Sequence, residues 1–334
     1  MGRFIQLVMG PAGVGKSTYC HHIQEHCNAS KRSMKVANLD PAADYYKYNA
    51  IFDIKDLVCL EEAMEQFGFG PNGGLVYCME YLLQNCEWLK DQLDSYGDDE
   101  YVILDCPGQI ELYSHLPIMR NLAELLQQWG YRVCGVYILD ALYCLEPAKF
   151  ISGCMLSLSC MMQLGLPHIN VITKCDLADR SEIDTILRSE GAWMIQSMNR
   201  QSNGKLQKLT EAVSSVVDDF MLVSFVCMDP TDEDTLDEVL AHCDHCVQYG
   251  EDAEPKDPDE INMDGMDGGY GNNHGDNEGS WNGSINAEML SNLYGNEGNQ
   301  NHQDGDDVGS GAGVGRDPDS LEAMMADRLQ RMGM

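Results

Sequence analysis

Residues 10–18 read Gly10-Pro11-Ala12-Gly13-Val14-Gly15-Lys16-Ser17-Thr18, and they directly follow the apolar run 4–9. In the spacing G-x-x-x-x-G-K-S, glycines let backbone N–H groups curl around phosphate oxygens without a Cβ in the way. Lys16 supplies a charge for the β- and γ-phosphates, and a helix over about 15–27 points its positive end at them. The stretch predicts a nucleoside triphosphate site formed by Gly13, Val14, Gly15, Lys16, Ser17 and Thr18.

Further short apolar runs occupy 36–39, 101–104, 134–139, 169–173 and 222–227. They are apolar throughout rather than alternating, which is typical of parallel strands buried on both faces. Helical patterns alternate with them at 74–93, 118–129, 147–162, 205–220 and 235–249. This order predicts an α/β fold with a doubly wound, mostly parallel sheet flanked by helices, in which ligands bind at the carboxyl ends of the strands.

Composition divides the 334 residues into two parts, a folded domain over 1–250 and a tail over 251–334. The tail is rich in Gly, Asn and Asp and has nineteen acidic and four basic side chains, so it carries −15 of the formal charge of −33. We expect it to be disordered, apart from two stretches of helical spacing at 285–294 and 321–332. Such an acidic chain disfavours direct binding of nucleic acid, and a basic protein is the expected polymeric partner.

All fourteen cysteines lie between Cys20 and Cys246, most of them in apolar segments. This is the pattern of buried thiols in a reducing compartment, and no secretory leader begins the sequence. No run of about twenty apolar residues is present, so no membrane-spanning helix is expected. We therefore expect a cytoplasmic protein without a membrane partner.

A second group of polar residues follows the run 101–104, where the sequence is Asp105-Cys106-Pro107-Gly108-Gln109-Ile110-Glu111. Asp105 closes a strand where a carboxylate can hold Mg²⁺, and Ser17 supplies a second oxygen. The Pro-Gly pair can present a backbone N–H to the γ-phosphate, while Gln109 and Glu111 can orient an attacking water. The alternative is an ordinary turn at the end of a strand.

The run 169–173 ends in Thr173-Lys174-Cys175-Asp176, which matches the pattern [NT]-K-x-D. A carboxylate at Asp176 can accept hydrogen bonds from N1–H and N2–H₂ of guanine, a pair of donors that adenine lacks, and Lys174 can lie along the base. Leaving Asp176 against adenine would bury a charge without donors, at a cost of several kcal/mol. The four residues therefore predict a preference for GTP over ATP.

Asp40 ends the run 36–39 and offers another carboxylate to the same edge of the sheet. It could support the metal or position the attacking water; alternatively, it forms a turn or caps the following segment.

A glycine-rich segment, Phe69-Gly70-Pro71-Asn72-Gly73-Gly74-Leu75, lies between the second and third predicted strands. On its own it would predict a simple surface turn. Together with the three motifs above, and with the wording of 7–13, 73–81 and 247–252, it makes the chain over about 1–250 resemble the GPN-loop GTPase family, most closely its third branch. The GPN loop of the resemblance is Gly70, Pro71 and Asn72.

The resemblance implies a dimer in which this loop of each subunit reaches the nucleotide of the other, so that Asn72 contacts phosphate across the interface. An Asn amide can donate to phosphate without bringing a charge that must be desolvated. The family further implies Mg²⁺ as cofactor, a heterodimer with a related GPN-loop GTPase, RNA polymerase II subunits as clients for assembly and nuclear import, and shuttling to the nucleus.

We therefore predict a slow GTPase with catalytic residues Asp40, Asp105, Gln109, Glu111 and Asn72. Two other functions stay open: a GTP- and GDP-dependent scaffold or chaperone with negligible hydrolysis, and an ATP-dependent kinase or transporter. Two further segments are ambiguous. The run 242–246, His-Cys-Asp-His-Cys, has thiols and imidazoles at zinc-like spacing but lacks a second pair of ligands. The segment 225–229 resembles the last loop near guanine in the family, with unassigned residue roles.

Overall fold

The strands of the described residues form one parallel sheet in the order β3-β2-β4-β1-β5-β6-β7. The computed structural model describes residues 2–96, 100–188 and 225–251, together with Lys208, Ala212 and Ser215. The strands are β1 (Arg3–Met9), β2 (Met34–Asn38), β3 (Ala50–Asp53), β4 (Tyr101–Asp105), β5 (Tyr131–Asp140), β6 (His168–Thr173) and β7 (Phe225–Cys227). The order reverses beside β1, which is the point at which doubly wound sheets bind ligands.

Ten α-helices accompany the sheet within these residues. They are α1 (Lys16–Ala29), α2 (Leu60–Phe67), α3 (Pro71–Gln84), α4 (Cys86–Asp94), α5 (Glu111–Ser114), α6 (Ile118–Gln128), α7 (Ala141–Cys144), α8 (Pro147–Leu164), α9 (Arg180–Arg188) and α10 (Glu233–Val247). None of the helices described is both long and apolar enough to cross a membrane.

Different helices cover the two faces of the sheet. Ile5 and Leu7 of β1 belong to a core cluster with α3, α4, α6 and α8, whereas Phe4 and Val8 pack with α1 and α10. Successive side chains of a strand point to opposite faces, so a strand buried on both sides must be apolar at every position. This explains the continuous apolar runs and confirms the predicted fold class.

The segment between β2 and β4 differs from the prediction in several ways. It contains a short edge strand, β3, that the apolar runs did not indicate, and the helix expected over 74–93 is two helices. Asn85 separates α3 from α4, and its side-chain amide donates to the carbonyl of Tyr81 at 2.9 Å. The glycine-rich segment is the start of α3 rather than a free loop, with Gly70 as N-cap and Pro71 at the first turn, where the missing N–H of proline costs nothing.

Several predictions lie outside the described residues. They are the helix over 205–220, apart from three single positions, the first part of the strand over 222–227, and the tail beyond Glu251 with its two helical stretches.

Arg32 ties the end of α10 to the amino ends of β1 and β4. Its guanidinium donates to both carboxylate oxygens of Asp244, at 2.6 and 2.7 Å, and lies over the rings of Tyr101 and Tyr249. The ring of Tyr249 in turn meets Phe4 edge-on at 5.0 Å. Bidentate pairs of this kind are among the stronger surface contacts. Tyr249 therefore lies at the amino ends of these strands, whereas the phosphate loop lies at the carboxyl end of β1.

These contacts also bear on whether the run 242–246 can bind a metal ion. Asp244 is paired with Arg32, and Cys243 is buried with its thiol 3.8 Å from the hydroxyl of Tyr19. In the part of the chain that the structure describes, this run does not form a group of metal-ligating atoms.

His168 begins β6 with both ring nitrogens buried. Burial lowers the pKa of His168 from 6.5 to about 4, and the neighbouring Asn170 side chain offsets only part of this effect. The folded protein therefore holds a neutral imidazole in the pH range where the unfolded chain takes up a proton.

We expect acidification below pH 6.5 to destabilise the protein through His168, because only the unfolded state binds this proton between pH 6.5 and 4. The loss in the free energy of unfolding should reach about 2 kcal/mol at pH 5. Urea unfolding of the native chain and of His168→Gln at pH 7 and pH 5 measures the difference that this side chain makes.

His242→Gln, which changes an exposed histidine of α10, is the matched control and should leave the pH dependence unchanged. Equal losses of stability in the native chain and in His168→Gln would contradict the assignment.

Candidate functional site

The phosphate loop has the backbone geometry that its glycines allow. Gly13 and Gly15 have φ values of 77° and 104°, and Gly15 is the N-cap of α1. At Gly10 a side chain is excluded by packing, since a Cβ would lie 2.5 Å from the carbonyl oxygen of Ile138 in β5. The loop is thus held against the sheet, and the first N–H groups of α1 face the carboxyl ends of the strands.

Lys16 is buried at the centre of this loop. Its ammonium donates to the carbonyls of Gly10 and Pro11, each at 3.2 Å. Burial lowers the pKa of Lys16, while the charges of Asp105 and Asp40 act in the opposite direction. Gly108 packs directly on the loop, because a Cβ there would lie 2.9 Å from Cα of Ala12. The turn after β4 therefore brings its backbone next to the phosphate loop and its lysine.

Asp105 ends β4 and is 1% exposed. Burial raises its pKa to about 6, against the lowering effects of the Ser17 hydroxyl, the Lys16 charge and a hydrogen bond from Tyr48. The Tyr48 hydroxyl donates to Oδ2 at 3.0 Å, whereas Oδ1 has no hydrogen-bond partner among the described residues. A buried carboxylate oxygen is thus left available beside Ser17.

These residues fit the Mg²⁺ ion that the family implies. Mg²⁺ prefers hard oxygen ligands and usually keeps several waters, so a hydroxyl and one carboxylate from the protein are a suitable set. Ser17 and Asp105 could supply this set, since Oδ1 of Asp105 has no hydrogen-bond partner among the described residues.

A large cavity of about 830 Å³ lies over the loop. Among the predicted site residues, its lining contains Gly13, Gly15, Lys16, Ser17, Thr18, Asp40, Asn72, Gln109, Glu111 and Lys174. The structure therefore brings together at one cavity residues from the phosphate loop, from the segments after β2 and β4, from the start of α3 and from the segment after β6.

Gln109 is a buried polar side chain on the lining of this cavity. It is 8% exposed, and within the described residues neither Oε1 nor Nε2 has a hydrogen-bond partner. A buried amide without partners costs free energy, so its retention points to a use at the cavity. Glu111 lies on the same lining at the first position of α5.

Asp40 forms the local turn that was one of its two predicted roles, and its predicted role toward a metal or water stays a prediction. Its Oδ1 accepts from the N–H of Ala42 at 3.0 Å, which is the turn reading. The side chain also lines the large cavity, and burial raises its pKa while Lys16 opposes the shift. A carboxylate committed to one local turn still presents charge to the site.

The end of β6 holds the other side of the phosphate loop. The hydroxyl of Thr173 donates to the carbonyl of Val14 at 2.6 Å. Lys174, in a left-handed conformation with φ 60°, donates from Nζ to the carbonyl of Gly13 at 2.7 Å and to Asp140 at 2.6 Å. The side chain of Val14 is buried, so any contribution of this residue to a ligand comes from its backbone. Thr173 and Lys174 are therefore joined to the phosphate loop by direct hydrogen bonds.

A small cavity of about 290 Å³ adjoins the large one, and the two share Gly15, Thr18 and Lys174 in their linings. Asp176 lines the small cavity from one side. Met228, Pro230 and Thr231 of the segment after β7 line the other side, which places part of the predicted last loop there.

The side chain of Cys175 lines neither of these two cavities. Its side chain is buried in the core cluster behind the small cavity, where a hydrogen bond with Cys227 and burial raise its pKa far above the ordinary value. Any contribution of this residue to a ligand comes from its backbone.

Asn72 is exposed and lines the large cavity of its own chain. Gly70 and Pro71 set its position by starting α3 immediately before it. The predicted contact with the nucleotide of a second subunit stays a prediction.

Three site residues were not predicted from the sequence. Asp140 ends the apolar β5 as Asp105 ends β4, so the same signal was present. Tyr48 and His22 gave no local signal, because Tyr48 reaches Asp105 from a loop and His22 reaches the small cavity from α1.

Comparison with known proteins gives a consistent result. Residues 8–249 match a family described as "Conserved hypothetical ATP binding protein". GPN-loop GTPase 3 of Dictyostelium discoideum is 49% identical over 262 residues, which cover 77% of this chain and 92% of that protein. GPN-loop GTPase 3 of Danio rerio is 47% identical, with coverage of 78% and 93%.

A solved structure of a GTPase in apo form from Pyrococcus abyssi aligns with a TM-score of 0.62 and 20% identity. It covers 74% of this chain and 98% of that chain, and it supports the fold alone. The relatives identified by sequence show the family as well as the fold, because the match extends over nearly their whole length. The chain therefore belongs to the GPN-loop GTPase family, in the branch of the proteins named GPN-loop GTPase 3.

Proposed function

We propose that this protein binds GTP with Mg²⁺ and hydrolyses it slowly, acting as a nucleotide-dependent switch. One observation carries the proposal: the cavity over the phosphate loop and the cavity beside Asp176 adjoin and share Gly15, Thr18 and Lys174. A nucleotide with its phosphates in the first and its base in the second would pass over these three residues.

The choice of guanine rests on Asp176. Its exposed carboxylate at the small cavity can accept from two guanine donors, and adenine would leave it unpaired. The family description speaks of ATP, while the named relatives are GTPases. The carboxylate favours the second of these.

Hydrolysis requires that the phosphate charge be balanced and that water be positioned. Lys16 and the N–H groups at the start of α1 face the phosphates, and Ser17 and Asp105 would hold Mg²⁺. Held by these two residues, the ion would supply positive charge against the triphosphate. The uncommitted amide of Gln109 can orient water, with Glu111 and Asp40 beside it. Catalysis would rest on positioning and charge stabilisation.

We further propose a dimer, formed with a related GPN-loop GTPase, in which Asn72 contributes to the site of the second subunit. The exposed amide at the rim of the large cavity supports this, because it sits where a neighbouring subunit could reach it. Family resemblance supplies the choice of partner.

The cellular role that we infer is the assembly and nuclear import of RNA polymerase II, with a cytoplasmic location and shuttling to the nucleus. It rests on the family resemblance and on the acidic composition, which suits basic protein surfaces better than nucleic acid. Retention of polymerase subunits in the cytoplasm after depletion of this protein would support it, and normal import would contradict it.

Asp176→Asn should weaken GTP binding by about 100-fold, because two hydrogen bonds to a charged acceptor are lost. Displacement of a fluorescent GDP by GTP and by ATP measures both the affinity and the preference. Asp179→Asn is the matched control, since it changes an exposed carboxylate three residues away that does not line the cavities. An unchanged preference in Asp176→Asn, or equal competition by ATP in the native chain, would contradict the guanine assignment.

Gln109→Ala should lower kcat for GTP hydrolysis by about 100-fold with little change in GTP affinity, because the amide would act on the attacking water. Phosphate release under single-turnover conditions separates the two effects. Gln128→Ala, an exposed glutamine of α6, is the control. Absence of phosphate release from the native chain at every concentration would instead favour the nucleotide-dependent scaffold.

The contact across the dimer is tested by reading the second subunit's site. In the complex with the related GPN-loop GTPase, Lys16→Ala in this chain leaves only the other subunit able to bind nucleotide. Adding Asn72→Ala to this chain should then slow the remaining hydrolysis by about 10-fold, the effect of one lost polar contact of about 1.4 kcal/mol. Adding Asn121→Ala, on exposed α6 surface, should not. Equal rates with both additions would show that Asn72 serves only its own chain.

A further inference from the structure

Three side chains of α1, two of them partly buried and one exposed, lie close to one another. They are His21, His22 and Glu25, and their ligating atoms all lie within 4.8 Å of one another. The Nε2 atom of His21 is 3.3 Å, and the Nδ1 atom of His22 is 3.8 Å, from Oε2 of Glu25. We propose that these three residues bind one divalent transition-metal ion that prefers imidazole nitrogen, such as Zn²⁺ or Co²⁺.

The arrangement is not what helix spacing alone would give. Residues at i and i+1 point about 100° apart on a helix and do not normally face each other. Here the two imidazole rings are 5.1 Å apart, because both turn toward the carboxylate of Glu25. Convergence of neighbouring side chains is the geometry of ligands around a common centre.

The distances suit a metal ion. Ligands at about 2.1 Å from a tetrahedral Zn²⁺ lie about 3.4 Å from each other. The separations of the two histidine nitrogens from Glu25, 3.3 and 3.8 Å, are already close to this distance. All three ligating atoms lie within 4.8 Å of one another. Three protein ligands leave one position of the ion open to water.

The donor set separates this site from the Mg²⁺ site. Two imidazoles and one carboxylate are a frequent set for zinc and related ions, whereas Mg²⁺ prefers oxygen ligands. The Mg²⁺ ligands Ser17 and Asp105 belong to the phosphate loop and the end of β4, while the three residues of the proposed site are on later turns of α1. His22 also lines the small cavity, so the ion would sit at its edge.

A simpler reading is that Glu25 only pairs with the two histidines as a surface ion pair. Exposed ion pairs on a helix contribute little to stability, and Glu25 is 63% exposed. Such pairs would not need a saturable ion, so a metal titration distinguishes the two readings.

The test uses the full chain, stripped of metals and then held in excess Mg²⁺ and GDP, and titrated with Co²⁺ alone. We expect one equivalent to bind, with only nitrogen and oxygen neighbours in X-ray absorption spectra. His21→Gln and His22→Gln should each weaken Co²⁺ binding at least 10-fold. His242→Gln, in the ambiguous run of α10, should bind Co²⁺ as the native chain does.

Sulfur in the coordination shell would overturn the proposal, because it would place the ion at one of the cysteines. Absence of saturable uptake would overturn it too, as would equal affinity in the native chain and both α1 variants. Thermal unfolding of each variant in the absence of metal checks that a loss of binding does not come from misfolding, and the spectra of the native chain test the ligands independently.

Discussion

The burial of one ammonium group, that of Lys16, sets the conditions for the rest of the site. A charge taken out of water at the centre of a loop must be balanced nearby. Two backbone carbonyls of the loop accept from it, and the carboxylates of Asp105 and Asp40 face it from the ends of two other strands. The same carboxylates are themselves desolvated, which raises their pKa values. The ammonium and each carboxylate therefore favour each other's charged form, while Asp40 raises the pKa of Asp105.

The second requirement is that the loop keep its shape against the sheet. The carbonyls of Val14 and Gly13 accept hydrogen bonds from Thr173 and Lys174. The residues next to the predicted base therefore also brace the loop that receives the phosphates. Asp140 extends this brace, since one of its oxygens accepts from Lys174 and the other caps α7. A substitution at Thr173 or Lys174 would therefore also affect the phosphate loop, because each of them donates a hydrogen bond to a loop carbonyl.

The sequence was sufficient for the features that depend on local pattern. A strand, a glycine turn and a helix in fixed order indicate the loop, Asp105 is the carboxylate that ends an apolar strand, and Asp176 is the carboxylate of the pattern [NT]-K-x-D that begins at the last residue of another. It was insufficient where the contact joins distant segments. The donor to Asp105 is Tyr48, fifty-seven residues away, and no spacing rule predicts that bond. The edge strand β3 is four residues long and only partly buried, so its apolar signal was too short to detect.

The domain has two opposite ends along β1. The proposed nucleotide site, here called the nucleotide pole, lies at the carboxyl end of β1. The contacts of Arg32 lie at the amino end, where Tyr249 packs against Phe4. The seven residues of β1 separate them by about 20 Å at the usual rise of a strand. A reporter or tether joined after Tyr249 would therefore start on the side of the domain away from the ligand. Attachment there is suited to surface immobilisation or fluorescence work that must leave the nucleotide pole unobstructed.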